Sequence, residues 1–86
     1  LGDVYKRQME NLEIGAKYRH YKNNDHIYEI VCIARHSETL EEMVVYKALY
    51  KSEEFGEGAI WVRQKEMFLG NVVVEGKEIK RFEKIN

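Results

Sequence analysis

At 86 residues the chain has room for one domain with a modest core. Its formal net charge of −1 supplies no global basic field for nucleic acid or an anionic lipid surface, and its apolar and charged shares of 44% and 34% are those of a folded rather than a disordered chain. A single cysteine excludes an internal disulfide or a cysteine-rich zinc site and points to the cytoplasm, and no apolar run approaches membrane-spanning length.

Residues 1–8, LGDVYKRQ, carry no clear periodicity and resemble a conceptual translation of adapter or vector sequence. Met9 follows directly and is taken as the natural start, leaving 9–86 as a single domain. Residues 15–22, GAKYRHYK, read as a short strand rich in aromatic and basic side chains, and Asn23-Asn24-Asp25 reads as a turn. The stretch 27–50, IYEIVCIARHSETLEEMVVYKALY, holds most of the apolar mass and predicts a hairpin. In its first half, alternation groups Val31 with Ile33 on one face and Ile30 with Cys32 and Ala34 on the other. Both faces are then apolar, which predicts a central or curved strand with Cys32 as a reduced core thiol. In the second half Val44, Tyr46, Ala48 and Tyr50 share a face. Thr39 and Glu42 have capping-box spacing, but no helically spaced apolar run follows, so a turn is predicted there.

Residues 51–58 read as a charged loop with two glycines and 59–63, AIWVR, as a strand. Residues 64–69 suit one helical turn, stopped by Gly70-Asn71, and 71–82 suit a last hairpin around Glu75-Gly76. Five or six short strands with exposed edges predict a mainly β fold: a small, partly open SH3-like barrel with one short helical turn.

Several pieces together, YRHYK at 18–22, IARHSETLEE at 33–42, VVYKALY at 44–50, WVR at 61–63, MF at 67–68 and RF at 81–82, resemble one bacterial family of domains of unknown function, number 1653. The resemblance implies a small SH3-like β-barrel and brings no assigned activity, substrate or catalytic residue. Gln64 and Lys80 stand where proline is common in that family, which bears on the stiffness of two loops.

Six residues form the candidate ligand-binding set: His20, Arg35, His36, Glu38, Trp61 and Arg63. Arginine beside aromatic rings suits recognition of a carboxylate or phosphate next to a planar group. Arg35, His36 and Glu38 follow an abrupt change from apolar to polar sequence at a hairpin end, where functional side chains are often displayed. Arg63, ending the strand that carries Trp61, is expected to reach the same rim. The plainer account is a surface Arg35–Glu38 pair with His36 capping the turn. The leading reading is a non-enzymatic binding domain, with a small anionic ligand or a protein as partner, no cofactor and no assigned catalytic or metal residues. One alternative is a small hydrolase or metal-dependent enzyme using His20, His36 and Glu38, with His26 as a further metal-ligand candidate. The other is a nucleic-acid accessory module built on Lys17, Arg19, Lys22 and Arg63 with interleaved aromatics.

Overall fold

A computed structural model describes residues 12–85; the leader expected at 1–8 lies outside the described residues. Among the described residues, nine strands and one helical turn follow in order: β1 (Lys17–His20), β2 (Ile27–Arg35), β3 (Glu42–Ala48), β4 (Lys51–Ser52), β5 (Gly56–Glu57), β6 (Ile60–Gln64), α1 (Lys65–Phe68), β7 (Asn71–Val74), β8 (Lys77–Lys80) and β9 (Phe82–Lys84). Five of the strands make one antiparallel sheet in the order β6-β3-β2-β1-β9, while β4-β5 and β7-β8 form separate two-stranded sheets. The fold is mainly β with very little helix, and the main sheet does not close into a barrel.

The central hairpin is β2 and β3, as the apolar mass of 27–50 predicts, and β2 is the middle strand of the sheet. The alternation along β2 is broken, however. Ile30 faces Tyr46 and Cys32 faces Val45, so Val31 is an extra residue at a β-bulge. The bulge resets the period, and Ile33 faces Val44 on the core side, the side that Ile30 already occupies. Val31 is left 39% exposed, and Cys32 is only partly buried rather than a core thiol. The two-faced apolar pattern is therefore one face read through a one-residue insertion.

The core on the inner face combines Tyr18, Tyr28, Ile30, Val44, Tyr46, Ala48 and Phe82 from the sheet with Phe68 from α1. The helical turn α1 delivers Phe68, which is fully buried and stacks on Phe82 at 4.2 Å between centroids. Tyr18 packs edge-on against the same Phe68 ring at 5.1 Å. Such offset and edge-on aromatic contacts add to the plain burial of area. Buried phenols need partners, and Tyr28 finds one in the Tyr50 hydroxyl at 2.7 Å. Burial and that hydrogen bond push the Tyr28 phenol well above the usual tyrosine range, so it stays protonated.

Two turns carry left-handed residues other than glycine. Glu75 and Gly76 have φ of 51° and 78°, the two-residue type I′ geometry that matches strand twist in the β7-β8 hairpin. The β2-β3 turn ends on Leu40 with φ 65°, where the Leu40 amide donates to the His36 carbonyl. The charged stretch after β3, expected as a loop, forms the small β4-β5 hairpin, with Phe55 packed edge-on against Trp61 at 5.0 Å.

Candidate functional site

A cleft of about 410 Å³ opens where the β1-β2 turn, β3, β6 and β9 meet. It is lined by His20, Lys22, Asn23, His26, Tyr28, Tyr46, Trp61, Arg63 and Phe82. No carboxylate is among these lining residues, although the whole chain is slightly acidic.

The β1-β2 turn sets the first wall. The His20 amide donates to the His26 carbonyl and the Asn23 amide to the His20 carbonyl, while Asn23 Oδ1 accepts the Asp25 amide at 2.9 Å. This is why an Asn-Asn-Asp sequence closes the hairpin so tightly. His20 Nδ1 accepts the Lys22 amide at 3.2 Å, so the neutral ring carries its hydrogen on Nε2. The ring packs edge-on against Phe82 at 5.0 Å, a contact made possible by the His20–Phe82 pairing of β1 with β9. Burial lowers the His20 pKa below 6.5, and the positive charges of Arg63, Lys22, Arg81 and His26 act in the same direction. The His26 ring stacks on Tyr50 at 4.0 Å, and its Nε2 lies 3.2 Å from Asn23 Nδ2.

The second wall is β6. Pairing with β3 sets Trp61 beside Tyr46 and Arg63 beside Val44, both on the inner face. Arg63 Nε donates to the Tyr46 hydroxyl at 3.4 Å, and its guanidinium carbon lies 5.6 Å from the centre of the Phe82 ring. The guanidinium is thus part-buried against a phenol and a ring face, without an ion pair among the described residues. Trp61 is half-buried, and its indole Nε1 is shielded from solvent with no hydrogen-bond partner among the described residues.

The six residues chosen from sequence fall into two groups. His20, Trp61 and Arg63 share the cleft. Arg35, His36 and Glu38 lie at the β2-β3 turn and do not line it. There, Arg35 Nη1 donates to the Leu40 carbonyl at 2.7 Å. His36 Nδ1 accepts the amides of Glu38 and Thr39 at 3.1 and 3.2 Å, and Glu38 is exposed. The Arg35 guanidinium and the His36 ring are thus directed to their own turn; Arg35 meets the Leu40 carbonyl there rather than the Glu38 carboxylate that the plainer account pairs with it.

Lys22, Asn23, His26, Tyr28, Tyr46 and Phe82 complete the cleft without belonging to the chosen set. His26 and Lys22 were legible as polar residues flanking the first turn. Phe82 was not, because it arrives from the far end of the chain through the β1-β9 pairing. Of the basic residues proposed for nucleic acid, Arg19 is paired with Glu83 at 2.9 Å, and Lys22 and Arg63 lie in the cleft. Among the described residues there is no group of three or more His, Cys, Asp or Glu side chains placed to hold a metal ion. No helix among them is long and apolar enough to cross a membrane.

Comparison with known proteins places this geometry in a family. No protein of curated function matches the chain. A crystal structure of a DUF1653 protein from Bordetella bronchiseptica is similar, with 28% identity and a TM-score of 0.70 over 90% of this chain and 91% of that one. The model of the family described as protein of unknown function (DUF1653) matches residues 16–84. The chain, by that match over most of its length, belongs to the DUF1653 family.

Proposed function

We propose that this protein is a small, non-enzymatic, cytoplasmic binding domain that captures an anionic ligand in the cleft between the β1-β2 turn and β6. The observation that carries the reading is Arg63, a part-buried cation held by a neutral phenol and an aromatic ring in a cleft lined by no carboxylate. Taking a charge out of water without a counter-charge is unfavourable, and an anion seated beside it offsets that cost. Lys22 adds a second cation, and half-buried Trp61 offers a planar surface in the same cleft. Cytoplasmic placement is supported by the lone, free Cys32 thiol.

Calorimetric titration of wild-type protein and Arg63→Ala with a panel of phosphates, sulfates and aromatic carboxylates tests the reading. Wild type should bind at least one of them, and Arg63→Ala should melt within roughly 1–2 kcal/mol of wild type while losing capture, since the arginine gives up one long hydrogen bond to a neutral group and one ring contact. A variant destabilised by several kcal/mol would make Arg63 a structural residue instead.

A further inference from the structure

We propose that the cleft is a proton-linked site for a tetrahedral oxyanion of the phosphate class. This rests on the binding reading above and adds the chemistry of the ligand and its regulation by pH.

The donors that remain free come from three segments. Arg63 uses Nε on Tyr46, and its two Nη groups have no hydrogen bond or ion pair among the described residues. The Lys22 ammonium sits in the β1-β2 turn, 5.9 Å from the Tyr21 ring and without an ion pair among those residues. On β1, His20 Nδ1 is occupied by the Lys22 amide, which leaves Nε2–H as the donor. A carboxylate has two coplanar oxygens, and the guanidinium fork alone satisfies them. A tetrahedral oxyanion carries more charge and presents oxygens in divergent directions. It can engage a fork from β6, an ammonium from the turn and an imidazole from β1 together.

The proton link follows from what surrounds His20. Arg63 faces it from β6, Lys22 and His26 from the turn and the start of β2, and Arg81 from the segment before β9, while Tyr21 and Phe82 supply rings. With Arg63, Lys22, Arg81 and His26 as the charged neighbours, burial first and then these cations favour the neutral ring. A dianion placed among these groups reverses the local field and favours the imidazolium. Linkage is reciprocal, so a proton on His20 must strengthen anion binding by the same factor.

The test uses the full chain and sodium sulfate, which remains a dianion throughout the range, with acetate as the planar control. Histidine-ring and arginine side-chain NMR signals are followed at about pH 5.5 and about pH 8, on either side of the ordinary imidazole range. Sulfate should perturb His20 and Arg63 and bind several-fold more tightly at the lower pH. It should raise the midpoint of His20 titration, and acetate should bind far more weakly. His20→Gln should retain the fold and bind sulfate with no such pH dependence. Phenyl phosphate binding more tightly than inorganic phosphate would assign the site to an organic phosphate, and equal binding to the free ion; both support the oxyanion class. Acetate matching sulfate overturns the class. Sulfate binding that depends on Arg63 but is equal at both pH values overturns the proton link while leaving the binding reading in place. If none of these anions perturbs the cleft, both fall.

Discussion

His20 and Arg63 show how single side chains are set by neighbours remote in sequence. The imidazole is held below 6.5 chiefly by burial and then by Arg63, Lys22, Arg81 and His26. In the unfolded chain the same ring titrates near its ordinary value. As pH falls through 6.5 the unfolded state therefore takes up the proton first, and stability declines toward acid until the folded ring is itself protonated. Above that window the contribution is constant. Thermal melts of His20→Gln should accordingly lose less stability than wild type between neutral pH and the onset of carboxylate titration. Superimposable profiles would mean that the ring is not held neutral by the fold. Arg63 is the complementary case: its charge is fixed, so the surroundings cannot neutralise it, and under the proposed reading a bound anion offsets it.

At the scale of elements, the turns and the bulge decide which side chains meet. The Glu75-Gly76 turn needs a left-handed conformation at both residues, and Gly76 at φ 78° is the position where a Cβ is strained. Gly76→Ala should cost about 1 kcal/mol, and Glu75→Asn should stabilise the hairpin by a few tenths, because asparagine tolerates this geometry better than glutamate. Chemical denaturation of the two variants checks both signs; a neutral Gly76→Ala would mean that the hairpin relaxes freely. Leu40 is left-handed too, at φ 65°, and 62% exposed, so it gains little burial for its strain. Leu40→Gly should raise stability by roughly 0.5 kcal/mol or leave it unchanged, and a loss above 1 kcal/mol would show that its side chain packs in solution. The bulge at Val31 works in the opposite sense, preserving rather than relieving a constraint: it keeps Ile30 and Ile33 on one face.

For the molecule as a whole, the inner face is closed by two aromatic rings that reach it from outside the central hairpin. Phe68 and Phe82 stack on one another and contact Tyr18, Tyr28 and Tyr46. Phe68→Ala should cost about 3–5 kcal/mol as a cavity opens under the sheet, a large share of the roughly 5–15 kcal/mol that stabilises a typical domain. Val31→Thr, on the outward side of the bulge, should stay within about 0.5 kcal/mol. Comparable losses for the two, measured by denaturant unfolding, would contradict the assignment of Val31 to the outer face. Because Phe82 also forms the floor beneath His20 and Arg63, core packing and cleft geometry are one problem: Phe82 touches both the imidazole and the guanidinium.

The chain by itself determined those features that local chemistry dictates. Asn23-Asn24-Asp25 and Glu75-Gly76 announce turns, the β-branched run of β2 announces the central strand, and Gly70-Asn71 ends the helical turn at its sequence position. It also determined that guanidinium, imidazole and indole were available near strand ends. Tertiary structure alone decided which of them meet. Arg35 and His36 look equivalent to Arg63 and His20 in composition, yet the former pair closes its own turn and the latter pair shares a cleft. Periodicity cannot register a one-residue bulge, because a single insertion exchanges the faces of everything that follows. Nor can it reveal that β9 pairs with β1, since a contact between the two ends of a chain leaves no local mark. That pairing brings Phe82 under His20, and with it the cleft exists.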